Sequence, residues 1–180
     1  MYSTGIIKKI DSLGRIVLPK EIRRKLKIRE NDDLEIYLEN NTNIVLKKYS
    51  TMNDIKADCA IYAELLSNET GFKVLFTDKE KIIATKGDKS SEFKGEEISE
   101  KLVEIIEERM IYTINQKGNF NITKEVDDKI YIKVILPLIV DSKSIGSIII
   151  YDTKVSNQLK DSDYVLLKFI AKLISMKFEF

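Results

Sequence analysis

The 180-residue sequence has no histidine and no tryptophan, one cysteine and two prolines. Without histidine the chain lacks the side chain most often used as a general base or metal ligand near neutral pH. No glycine-rich phosphate loop or nucleophile elbow takes its place. The acidic pairs Glu107-Glu108 and Asp127-Asp128 are sequence neighbours, so on a helix or strand they diverge as solvated surface. Catalysis is therefore not expected, nor is a cofactor or a metal. Cys59, standing alone, excludes an intramolecular disulfide and a cysteine-rich metal site. With no cation or histidine beside it to lower its pKa, it reads as a small core residue on a helical face. Neither a signal segment nor an apolar run of about eighteen uncharged residues is present, so a cytoplasmic protein is expected.

A charge imbalance is also missing overall, since the formal net charge is only +1. It is present locally: residues 1–50 carry eleven Lys/Arg against seven Asp/Glu, a net of +4, which leaves −3 for the remainder. A basic front half on a neutral chain points to a nucleic-acid module joined to a second part, or to a lysine-rich solvated surface.

Those first fifty residues have a definite pattern. Ile6, Ile7 and Ile10 precede Asp11-Ser12-Leu13-Gly14, where aspartate bonds its own backbone and glycine takes a left-handed conformation, so the chain reverses between two strands. The second strand, Ile16-Val17-Leu18, runs into Pro19, which fixes φ near the helical value and opens a short helix. Ile22 and Leu26 share one face of that helix, leaving Lys20, Arg23, Arg24 and Lys27 on the rest. Leu34, Ile36 and Leu38 alternate, Asn40 to Asn43 form a turn, and Ile44-Val45-Leu46 return, which predicts a β-hairpin. Fifty residues rarely close a core, yet seventeen large aliphatic or aromatic residues lie between Ile6 and Leu46, so a second chain is expected to cover them.

The Asp-x-x-Gly-Arg-x-x-x-Pro-x-x-x-Arg-Arg run from Asp11 to Arg24, within the continuous match through Tyr49, resembles the AbrB-type DNA-binding domain of bacterial transition-state regulators. The resemblance implies a swapped-hairpin dimer that binds double-stranded DNA, with arginine contacts from Arg15, Arg23 and Arg24. A fourth family arginine falls on Lys8, which keeps the charge without the planar fork. Together with Lys9 these are the candidate DNA-binding residues.

Residues 51–56 read as a linker with an N-cap at Asn53 or Asp54. A helix with Ile55, Cys59, Tyr62 and Leu66 follows, its stripe widened by Ile61 and Leu65 and stopped by Gly71. Strands are expected at 72–77 and 81–85, a loop at 87–91, an amphipathic helix carrying Ile98, Leu102, Ile105, Ile106 and Met110, and a weak edge strand at 120–122. The clearest hairpin is 131–140 with 145–151 about a turn at 141–144; its continuous apolar runs imply burial on both faces, and Pro137 calls for an edge or bulge. A last helix, capped near Asp161 or Ser162, carries Val165, Leu166, Phe169, Ile170, Leu173 and Ile174.

The expected architecture is α+β: an AbrB-like domain at 1–50, the linker, and at 57–180 an antiparallel sheet with flanking helices. Leu136-Pro137-Leu138, a short turn, Ile145-Gly146 and the strand after it resemble the late strand pair of GAF sensory domains. The combination resembles sporulation regulators of the AbrB family and implies a DNA-binding transcription regulator, activator or repressor; the apolar helices of the second part add the expectation of an oligomer built from swapped dimers, a tetramer. Other readings stay open: an antitoxin-type DNA-binding protein, which would continue as a disordered arm rather than a patterned domain, and a second domain that senses a small-molecule effector or serves only as an assembly scaffold.

Overall fold

Pro19, at φ −58°, ends an extended approach and caps the first helix, α1 (Lys20–Lys25). The computed structural model describes residues 4–30, 32–88, 90–113, 121–125, 130–154 and 157–178, in two units, Met1–Tyr49 and Ser50–Phe180. In the first unit α1 is followed by the antiparallel hairpin β1 (Leu34–Glu39) and β2 (Asn43–Lys48), which pairs Ile36 with Leu46 and Leu38 with Ile44. Asn40 and Asn41 turn it with φ of 54° and 55°, the left-handed values of a primed turn, and the Thr42 N–H donates to the Glu39 carbonyl at 3.2 Å. The Asp11–Gly14 reversal forms as expected, with the Gly14 N–H donating to the Asp11 carbonyl at 3.0 Å. The flanking segments at 6–10 and 16–18 form no strand ladder, a departure from expectation. No described residue of this unit is buried.

The second unit opens with α2 (Thr51–Asp54) rather than a linker, and Met52 is fully buried in its core with Ile55 beside it. The cap position is Ser50, so Asn53 and Asp54 lie inside or at the end of this turn instead of starting the next helix. Then come α3 (Lys56–Thr70), β3 (Lys73–Thr77), β4 (Ile82–Lys86), α4 (Ser90–Phe93), α5 (Glu100–Glu108), β5 (Tyr112–Thr113), β6 (Tyr131–Val140), β7 (Lys143–Asp152) and α6 (Asp161–Met176). Gly71 ends α3 in a left-handed conformation at φ 76°, its N–H donating to the Ser67 carbonyl. Ser99 caps α5 by accepting from the Leu102 N–H. At α6 the cap is Lys160, whose N–H donates to the Asp163 carboxylate at 2.8 Å.

The five strands form one antiparallel sheet in the order β4-β3-β7-β6-β5. Side chains alternate across it. Val74, Phe76, Val134, Leu136, Ile148 and Ile150 pack with Cys59, Ala63 and Leu66 of α3 and Leu167, Ile170 and Ile174 of α6. Leu75, Ile132, Ile135, Ile149 and Tyr151 pack on the other face with Leu102, Ile105 and Ile106 of α5. Both faces are covered, as the unbroken apolar runs require. Pro137 lies beyond the two residues where β5 pairs with β6, and next to a register shift at Leu138/Ile139, so its missing N–H breaks no ladder on the outer side. The hairpin turn is tighter than expected, only Asp141 and Ser142, both left-handed at 46° and 62°.

Four apolar residues expected in the helical stripes are instead in solvent: Ile61, Leu65, Val165 and Phe169 are 49–68% exposed, and Met110 is exposed as well. Of the expected edge strand, Phe120 lies outside the described residues, while Ile122 is buried and Thr123 bridges Ile98. Cys59 is fully buried, and burial, with the nearby Asp58 charge, pushes its thiol pKa up to about 12. Among the described residues no helix is long and apolar enough to cross a membrane.

Candidate nucleic-acid interface

The five candidate cations lie on three local structures of the first unit. Lys8 and Lys9 belong to the extended arm before the Asp11–Gly14 turn, Arg15 leaves that turn, and Arg23 and Arg24 follow one another on α1. All five are exposed. An open groove of about 520 Å³ is lined by Ile6, Ile7 and Lys8 of the arm, Ile16 and Val17 after the turn, and Ile22 of α1. Lys8 is thus brought beside α1, while the turn bearing Arg15 reaches α1 through the four residues 16–19.

The turn is held by a side chain that residue type alone had assigned only to backbone bonding. Asp11 Oδ1 accepts from the backbone N–H groups of Leu13 and Arg15, both at 2.9 Å, and Oδ2 accepts from the Arg15 Nε at 2.8 Å. The backbone bond from Arg15, then its guanidinium, holds the Asp11 carboxyl below its ordinary value. The Arg15 side chain stays 72% exposed despite this bond. Its remaining guanidinium N–H groups face solvent in a fixed fork suited to a phosphate or the edge of a guanine. The Asp11-to-Arg15 spacing is the signal that would have found the clasp.

On α1 the carbonyls of Arg23 and Arg24 close the helix end, accepting from Ile28 and Lys27 at 2.8 and 3.2 Å. Their side chains project from a helix with no buried residue and with basic groups through its last turn, where a cation also suits the helix dipole.

Both units have counterparts among known proteins. Residues 54–179 match the family described as stage V sporulation protein T C-terminal, transcription factor, and residues 7–54 match the family described as antidote-toxin recognition MazE, bacterial antitoxin. The chain is 45% identical over 87 residues to stage V sporulation protein T of Bacillus subtilis, covering 48% of this chain and 49% of that protein. It is 57% identical over 49 residues to transition state regulatory protein AbrB of Bacillus subtilis, covering 27% of this chain and 50% of that protein. The chain thus spans about half the length of the curated relatives it matches. Among solved structures, the cofactor binding GAF domain of the nutrient sensor CodY from Clostridium difficile covers 66% of this chain and 83% of its own, with a TM-score of 0.51 at 15% identity, which establishes a shared GAF fold. With its family model matched from residue 54 to residue 179, the chain belongs to the stage V sporulation protein T C-terminal family of transcription factors.

Proposed function

We propose that the protein is a DNA-binding regulator of transcription in the sporulation programme, with Lys8, Lys9, Arg15, Arg23 and Arg24 as its DNA-facing residues. The observation that carries this reading is that all five remain in solvent on a unit 57% identical, over 49 residues, to a transition-state regulator. Phosphates are neutralised by the lysines and by any of the arginines, whereas the forked arginines can also read base edges.

Two chains are needed. The first unit exposes Ile7, Ile10, Leu13, Val17, Ile36 and Leu38 by 67–92% and buries none of its described residues, so a second copy interleaving its own hairpin supplies the missing core. That pairing sets two copies of the cation set against one duplex. The second unit then joins such dimers into a tetramer through the exposed apolar residues of α3 and α6, raising effective concentration on adjacent sites. Its GAF fold also suits reception of a small-molecule effector. A cytoplasmic location and the lack of an enzymatic role belong to the same reading.

The match to an antitoxin family over residues 7–54 favours a second reading, neutralisation of a toxin. Against it stands the packed domain over residues 50–178, where an arm for wrapping a toxin would be expected. Binding of the full chain to duplex DNA, compared with its Arg15→Ala, Arg23→Ala and Arg24→Ala variants, tests the proposal. Each variant is expected to weaken binding by about tenfold. Binding left intact in all three, or a monomer mass for the full chain in light scattering, would overturn it.

A further inference from the structure

Resting on the DNA-binding reading above, we infer that Lys48 and Asp32 are positioning residues for the interface: together they clasp the end of α1 and thereby set the direction of Arg23 and Arg24. Neither residue belongs to the candidate cation set.

The need for a clasp lies in Lys27. This residue closes α1 in the left-handed conformation, φ 53°, which glycine adopts freely and a residue with a Cβ does not. Its conformation permits the two closing bonds, Lys27 N–H to the Arg24 carbonyl and Ile28 N–H to the Arg23 carbonyl, a pattern that normally employs glycine. The acceptors are the carbonyls of the two arginines themselves, so the geometry of Lys27 is also that of the turn from which their side chains leave.

Lys48, the last residue of β2, stabilises it from outside the helix. Its Nζ donates to the Lys27 carbonyl at 3.2 Å and pairs with Asp32 Oδ2 at 3.1 Å. The same Asp32 oxygen accepts from the Arg29 N–H at 2.7 Å, tying down the segment that leaves the helix. The side chains are only 22% and 8% exposed, so this pair is shielded from solvent, unlike the five candidate cations. Tyr49, next along the chain, donates its N–H to the Asp33 carbonyl at 2.9 Å and keeps Lys48 in register with Leu34. The clasp therefore joins α1 to the hairpin through one ammonium and one carboxylate.

Asp32→Asn separates positioning from charge. Removing an anion near a DNA-binding surface strengthens binding by electrostatics alone, whereas loss of the clasp weakens it. The test measures binding of the full chain to a pool of random-sequence duplexes across a salt series. Asp32→Asn and Lys48→Met are each expected to lose about tenfold in affinity. Their salt slope should match that of the unsubstituted chain, since neither touches phosphate. The double variant should be no weaker than either single one, because both break one clasp. Lys48→Arg, which keeps a donor for Asp32, should bind within about twofold of the parent. Thermal melts by circular dichroism identify the temperature at which every variant is folded, and binding is compared there.

The inference is overturned if Asp32→Asn binds as well as the parent or better. It is overturned equally if Lys48→Met makes the slope shallower by about two, which would make Lys48 itself a phosphate contact in each half of a dimer. A parent chain that fails to bind any duplex refutes the DNA-binding reading and this inference with it, an outcome distinct from either of those.

Discussion

Asp11 holds Arg15 at both ends: one carboxylate oxygen accepts from its backbone N–H at 2.9 Å and the other from its Nε at 2.8 Å. One side chain therefore fixes a tight turn and aims the guanidinium that leaves it. Asp11→Ala is expected to weaken DNA binding by about fivefold, the scale of an exposed but well-formed pair, although it removes a negative charge from the proposed DNA-facing surface. A fluorescence-anisotropy titration showing tighter binding by Asp11→Ala would contradict this role. The pH dependence follows from the direction of the shift. A carboxyl held below its ordinary value of 3.8 is ionised above it, so the clasp is present throughout the neutral range and is lost only as pH falls through the depressed value.

Gly146 in β7 has no room for a side chain. A Cβ there would stand 1.9 Å from the Thr77 carbonyl oxygen and 3.1 Å from the Asp78 Cα, both backbone atoms of the neighbouring β3 end. Gly146→Ala is expected to destabilise the second unit by about 3 kcal/mol, read as a shifted midpoint in urea unfolding. An unchanged midpoint would mean that the strands separate there at little cost.

Asp152 is buried at the end of β7, where its carboxylate accepts from Lys73 Nζ at 2.9 Å, from the Asn157 amide at 2.8 Å and from the Thr153 N–H at 2.7 Å. Burial raises its pKa, but the Lys73 and Asn157 bonds outweigh it and the net direction is down. A depressed carboxyl contributes stability above its ordinary value of 3.8 and loses it as pH falls through the lower, folded value. Asp152→Ala strands the Lys73 ammonium, partly relieved by Asp88 at 3.7 Å, so a loss of about 2 kcal/mol is expected. Unfolding midpoints above pH 5 and near pH 2 should differ for the parent more than for the variant; equal differences would refute the assignment.

Phe169 and Val165 on α6, with Ile61 and Leu65 on α3, are apolar and in solvent. If these side chains join dimers as proposed, the parent chain has the mass of a tetramer in light scattering and Phe169→Asp that of a dimer, with the thermal midpoint of the second unit within a few degrees of the parent. An unchanged tetramer mass would place the contact elsewhere.

Much of this was readable where local chemistry decides. Pro19 starts a helix, Gly71 stops one, and Asn40 with Asn41 turns a hairpin, because each needs only its own φ preference. The unbroken apolar runs of β6 and β7 foretold a sheet covered on both faces. What escaped reading depends on neighbours far along the chain. Ile61 and Val165 have core chemistry, yet no described residue of the chain covers them; Met52, in a stretch polar enough to read as a linker, is fully buried. The segments at 6–10 and 16–18 carry strand residues but pair with no strand among the described residues. In the candidate interface the five cations can be named from residue type, and their exposure agrees with that, whereas the Asp11 clasp on Arg15 is hinted at in the sequence only by the spacing of the two residues.

The central claim is that two chains present the same cations to one duplex, and the salt dependence of DNA binding tests it most directly. With Lys8, Arg15, Arg23 and Arg24 of both chains each neutralising one phosphate, log K against log salt should fall with a slope of about −7. A slope shallower than about −2 would contradict the account, because so few phosphates would then be met that this surface does not carry binding.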